Sequence, residues 1–229
     1  MKTASLYLPL SIAEKDALHF LGYPEGRRPV GRLAPLLDDV LLEARSLARG
    51  CGAYRRFPVS AASGLGLVPE RADGLVVGLA TAGAGIERRV TELLGEGDGT
   101  RALLLDAAGS AAAEEAARRL ASRAVGAKAD GVVDVPCRIS PGYGRWPLAA
   151  QEALFALLPH EELGVSLSPS MMMSPRKSVS FALWIGAQGV PGSGLSGCYH
   201  CALGTCRYRE GSRVPARPTR PAPGKGNDR

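Results

Sequence analysis

Aromatic residues are scarce in this chain. Four Phe, six Tyr and two Trp make up 5% of 229 residues. No apolar run approaches the roughly 20 residues of a membrane span. Histidines number three, and His19 and His160 stand alone, as surface or packing residues do. The glycines after Leu75–Ala80 do not spell a Gly-x-Gly-x-x-Gly fingerprint, and no Lys-Ser/Thr pair follows them. A dinucleotide fold and a P-loop NTPase are therefore not indicated. Glu114 and Glu115 are adjacent. On a helix they point about 100° apart, so they are no acid/base pair and read as a solvated face, although one of them can point toward a ligand. There is no internal repeat.

What is present is ordinary for a globular chain: 45% hydrophobic and 22% charged residues. That is enough for one sizeable core, with or without a small appendage. Met1–Leu10 carries one Lys and a short apolar run without a small-residue cleavage site. It reads as a first strand rather than a signal peptide, so a cytoplasmic location is expected. The net charge is +6. From Arg207 onward seven basic residues face Glu210 and Asp228, so five of those six charges lie in the tail. Pro215, Pro218, Pro221 and Pro223 lie there too. Such a segment buries too little apolar surface to offset its ordering entropy and is expected to be disordered. A basic tail can bind nucleic acid, but no nucleic-acid motif accompanies it.

Along the chain, residues 3–8 read as a short strand. Ser11 and Glu14 have capping-box spacing ahead of a helix that Gly22 ends. A second helix is predicted over 32–48. Tyr54–Val59 reads as a strand, and Pro58 suggests an edge. Leu75–Ala80 is a buried strand, leading through the Thr81–Gly85 turn into a helix with Ile86, Val90, Leu93 and Leu94. That turn can aim backbone N–H groups at an anion, but two glycines easing a tight turn is the favoured reading. Thr100–Ala127 is alanine-rich and helical, a central packing helix that can bend or divide at Gly109-Ser110. A helix over 148–158, a short strand at 165–167, a turn carrying Met171, Met172 and Met173, and a strand over 178–185 complete the pattern. The methionines can line a ligand or fill the core. The fold expected is α+β, with a mixed or antiparallel twisted sheet and helices packed against it.

One stretch is neither strand nor helix: Arg138-Ile139-Ser140-Pro141-Gly142-Tyr143-Gly144-Arg145-Trp146-Pro147. Prolines fix φ at two points, while glycines permit values that other residues avoid. A rigid loop carrying a cation, hydroxyls and ring faces suits a small polar ligand. The plainer alternative is a connection whose aromatics pack on the core.

Arg138-x-Ser140-Pro141-Gly142-Tyr143, then Gln151 and Leu154-Phe155, resembles the Arg-x-x-Pro-Gly-Tyr segment of the activation domain of cobalamin-dependent methionine synthase. Gly164-Val165-x-Leu167-Ser168-x-Ser170-x-x-Met173-x-Pro175-x-x-Ser178-Val179-Ser180 is similar to a second run of that family. The match covers about 138–180, and Leu21-Gly22-Tyr23 and Thr81-x-Gly83 are compatible with a freestanding short form. The resemblance implies a domain that binds S-adenosylmethionine and presents its methyl group to cobalamin, rescuing an enzyme whose cofactor has oxidised. Carried over, Arg138, Ser140, Gly142 and Tyr143 would contact S-adenosylmethionine. Two departures stand out. Ser140 replaces a small residue, often Ala, and Pro169 stands where the family has an acidic residue. There is no Asp-x-His-x-x-Gly run for cobalamin. The implied partner is thus a cobalamin-binding methionine synthase or corrinoid protein, with a reductant protein besides.

Cysteines number five. Cys51 reads as a small buried hydrophobe. Cys198-x-x-Cys201-x-x-x-x-Cys206 places three thiols within nine residues of a glycine-rich stretch. They can converge on an iron–sulfur cluster or, with His200 or Cys137 as fourth ligand, on zinc; chance clustering is the plainer alternative. A cluster could relay the low-potential electron that cobalamin rescue requires. The expected organisation is an activation-like domain over 1–190, a Cys-rich metal or cluster loop over 191–209, and a disordered basic tail over 210–229. The function expected is reductive reactivation of cobalamin on a partner. The alternative is a non-catalytic, metal-stabilised module that docks a corrinoid protein.

Overall fold

This computed structural model is built on a four-stranded antiparallel sheet, in the order β1-β2-β3-β6. It describes residues 5–67, 72–126, 138–143 and 146–185. The strands are β1 (Leu6–Tyr7), β2 (Cys51–Phe57), β3 (Gly74–Thr81) and β6 (Ser178–Ile185). Between β3 and β6, β4 (Ser166–Leu167) and β5 (Met173–Ser174) form a separate two-stranded ribbon. The helices are α1 (Glu14–Phe20), α2 (Leu33–Leu47), α3 (Gly85–Gly95), α4 (Gly99–Val125) and α5 (Ala150–Leu157). A 3-10 helix, Val59–Leu65, follows β2.

Because successive strand residues point to opposite faces, the sheet divides its side chains cleanly. Val76, Ala80, Phe181 and Leu183 face α4 together with Leu8. Leu75, Val77, Leu79, Ala182 and Trp184 face the 3-10 helix and α5 with Trp146, Leu154 and Phe155. A third cluster holds α1, α2 and α3 against the first half of α4, through Ala17, Leu37, Val40, Leu41, Ile86 and Leu93. Each fully buried Leu, Ile or Val contributes about 1.5–3 kcal/mol.

Adjacent arginines of β2 serve the two faces. Arg56 Nε donates to the Ala124 carbonyl at 3.1 Å, near the end of α4. Arg55 Nη1 donates to the Leu157 carbonyl at 3.2 Å, at the end of α5. Both satisfy carbonyls that a helix end leaves orphaned, where a cation also suits the helix dipole.

The α+β expectation is met, with a wholly antiparallel main sheet. Some element details differ. α1 starts at Glu14 behind Ala13, with no side-chain cap, so Ser11 lies outside it and the capping box does not form. α4 runs unbroken through Gly109-Ser110. Gly109 is buried there, facing Ile86 and Lys177, and Ser110 Oγ bonds back to the Asp106 carbonyl. Packing on both sides holds the helix where propensity alone would weaken it. Glu115 is not on a solvated face: it is 5% exposed and pairs with Arg118 and Arg119. β2 pairs with β3 throughout but with β1 only at Cys51 and Gly52, so among the described residues its far half is an edge, ending just before Pro58.

Gly78 is needed by contact. It lies opposite Phe181, and a Cβ on it would stand 2.5 Å from Phe181 Cζ. Gly78→Ala is expected to destabilise the protein by about 1–3 kcal/mol, as overpacked cores do, with a lower urea midpoint as the readout. Cys51 is half-buried, with its Sγ 3.8 Å from the Leu163 carbonyl, and burial pushes its thiol pKa up. At pH 8 iodoacetamide should label the Cys51 peptide more slowly in native than in urea-unfolded protein, by peptide mass spectrometry. Labelling should accelerate as pH rises beyond the ordinary thiol range, because the thiolate is the nucleophile.

Candidate functional site

The segment carrying Arg138 runs along the outer edge of β6. Ile139 forms a single antiparallel bridge to Ala182: its N–H donates to the Ala182 carbonyl at 2.9 Å, and the Ala182 N–H returns a bond at 2.8 Å. Two backbone bonds thus fix the segment's register on the sheet.

Beyond Ile139 the chain turns. Tyr143 N–H donates to the Ser140 carbonyl at 3.1 Å, and Gly142 N–H to the Trp146 carbonyl at 2.9 Å. Gly142 has φ 92, in the left-handed region that favours glycine. Trp146, 4% exposed, roots the turn in the core and donates from Nε1 to the Leu65 carbonyl at 2.8 Å. One aromatic therefore packs as a plain connection requires. The other, Tyr143, is 45% exposed. Leu148 and Met172 are exposed as well.

Arg138 reaches across to the α4 face. Its Nη2 donates to Glu114 Oε2 at 2.9 Å, and its guanidinium lies 5.6 Å from the centre of the Phe181 ring. The arginine side chain is 12% exposed and the glutamate 33%. A cation and a carboxylate thus meet beside an aromatic face at the sheet edge, with solvent reaching the carboxylate.

On the opposite face, Gln151 of α5 is buried. Its Nε2 donates to the Met171 carbonyl at 3.0 Å, and Ser180 Oγ donates to its Oε1 at 3.4 Å. The methionines divide: Met173 packs on the α5-side core, Met172 is exposed, and Met171 holds φ 63. Further along, Lys177 Nζ lies 2.7 Å from Asp106 and 3.0 Å from Ser110, tying the start of β6 to α4. Thr81 Oγ1 accepts from Gly83 N–H and Ser178 Oγ, which closes the glycine turn upon itself.

Arg138, Ser140, Gly142 and Tyr143, the residues predicted from sequence to touch a ligand, lie on one stretch that runs from the edge of β6 into the turn. Glu114 joins them from 24 positions upstream, a partnership that sequence reading missed. Its signal was a carboxylate beside Ala111, Ala112, Ala113, Ala116 and Ala117, which are buried. Cys137, Cys198, Cys201, His200 and Cys206 lie outside the described residues. Among the described residues no group of His, Cys, Asp and Glu could hold a metal. Nor, among them, is any helix long and apolar enough to cross a membrane.

No family model matches the chain, and no curated protein matches it. Among solved structures it is similar to the reactivation domain of MetH, crystallised with AdoHcy. The TM-score is 0.60 at 14% identity, over 85% of this chain and 82% of that one. The antiparallel sheet with helices packed on it is thus the fold of that reactivation domain.

Proposed function

We propose that this chain binds S-adenosylmethionine at the edge of β6 and serves the reductive reactivation of cobalamin carried by a partner methionine synthase or corrinoid protein. The observation that carries the reading is Arg138 held against Glu114 on this fold. The methionine end of S-adenosylmethionine is a zwitterion. Arg138 offers a forked donor for its carboxylate, and Glu114 an acceptor for its ammonium. Binding exchanges one internal ion pair for two with the ligand, so neither charge is left unpaired. Gly142 lets the backbone approach, Ser140 lies in the same turn, and Tyr143 offers a ring face to the sulfonium or the adenine. The ligand would supply its methyl group and leave as S-adenosylhomocysteine, the compound bound to the similar domain. Methyl transfer from a sulfonium to a strongly nucleophilic cobalt needs no strong acid or base, so these residues bind and orient.

We also propose Cys198, Cys201 and Cys206 as a metal or iron–sulfur site that would relay an electron to the partner's cofactor. The three-thiol spacing alone supports it.

Isothermal titration with S-adenosylhomocysteine and S-adenosylmethionine should show one site per chain. Arg138→Ala should weaken it about 10- to 100-fold, since hydrogen bonds to charged groups are worth about 1.5–3 kcal/mol. Tyr143→Phe should cost less. Absence of binding heat, or Arg138→Ala titrating like the wild type, counts against the reading. For the cysteines, anaerobically purified protein should contain iron and sulfide and show visible charge-transfer absorption. Zinc without iron would exclude the cluster, and the triple Cys→Ser variant should lose whatever metal is found.

A further inference from the structure

Gln151 bridges elements that the chain separates. It sits on α5, directly after the 138–147 segment, and is 4% exposed. Its amide donates to the Met171 carbonyl in the turn between β4 and β5 and accepts from Ser180 on β6. That turn is built on an unusual residue. Met171 is the non-glycine residue with positive φ among those described, at 63°. Such a conformation persists where its surroundings over-determine it. Inside the turn, Met171 N–H donates to the Ser168 carbonyl, Met172 N–H to Ser168 Oγ, and Ser168 N–H to the Met172 carbonyl. These bonds shape the turn. Gln151 anchors it to α5.

The same amide reaches the strand beneath the arginine. Ser180 and Phe181 are neighbours on β6 with side chains on opposite faces. Phe181 lies against the Arg138 guanidinium, and Ala182 holds Ile139. Gln151 therefore connects the turn at 168–172 to the strand that carries the Phe181 ring under Arg138 and the Ala182 bridge to Ile139. Its amide joins three chain segments around the site.

We propose that Gln151 is a positioning residue that locks the 168–172 turn to α5 and β6 and so holds the ligand segment 138–143 in register. The ligand part of this inference rests on the reading given under Proposed function.

The test uses the full chain and two substitutions. Gln151→Met keeps the side chain's length and removes both hydrogen bonds. Ser180→Ala removes only the weaker one. In ligand-free Gln151→Met, amide exchange at Met171 and Met172 should be about tenfold faster than in wild type, the loss expected for one buried hydrogen bond. Leu79 and Ala80 in the central strand should exchange unchanged. S-adenosylhomocysteine should bind Gln151→Met about tenfold more weakly, and Ser180→Ala, which breaks the link to β6 alone, about three- to fivefold more weakly than wild type. If Gln151→Met does not fold, Gln151→Glu keeps the shape and the acceptor but not the donor, and the same readouts apply. Wild-type exchange rates in the turn of the variant would overturn the proposal. So would a loosened turn with unchanged ligand affinity. Wild-type protein that binds neither adenosyl compound, while the turn still loosens in the variant, leaves the coupling standing and overturns the ligand reading alone.

Discussion

The contact of α4 with the sheet is the constraint on which the other features depend. α4 carries alanine at ten buried positions, with Gly109 buried among them. Small side chains bring its axis close to β3 and β6, and the contact is made by dispersion at short range rather than by large interlocking groups. On the sheet side the space is filled by Phe181, which in turn needs Gly78 opposite it. On the other side, α1, α2 and α3 close over the same helix. A helix enclosed in this way is apolar on the faces it buries, and a charged residue that falls there must find a partner. Glu115 finds Arg118 and Arg119, and Glu114 finds Arg138.

The site follows from where β6 lies. It is the outer strand beside β3, and its free side takes only the short Ile139 bridge among the described residues. An unpaired sheet edge presents backbone donors and acceptors that other chain can use. Here one residue uses them, and the chain then leaves the sheet in a turn that exposes Tyr143. Because β6 has two faces, one strand serves two purposes. Phe181 supports the arginine on the α4 side, while Ser180 meets Gln151 on the α5 side. Lys177, just before β6, fastens the strand to α4 through Asp106.

Much of this was legible in sequence. The unbroken apolar run at Leu75–Ala80 and the alternation at Ser178–Ile185 mark the two longest strands, β3 and β6, because burial dictates those patterns. The period of Leu37, Val40, Leu41 and Ala44 marks α2 for the same reason. Boundaries were less legible. Ser11 has the chemistry of a cap, but the helix starts three residues after it, at Glu14, behind an Ala13 that offers no side-chain cap. Gly109-Ser110 has the chemistry of a break, and tertiary packing overrode it. Glu114 and Glu115 have the look of a solvated pair, yet each meets an arginine, one from its own helix and one from a distant loop.

By itself the sequence determined the class of fold, the segment from Arg138 to Pro147 as the place to look, and the residue types it offers. These rest on local patterns: periodicity, turn chemistry and spacing. The tertiary structure alone decided which groups meet. That Arg138 lies against Glu114 and over Phe181, and that Gln151 reaches Met171 and Ser180, depends on the register of β6 with β3 and on the closeness of α4. Contacts between residues 24, 29 or 43 positions apart are set by packing in three dimensions, and no local pattern encodes them.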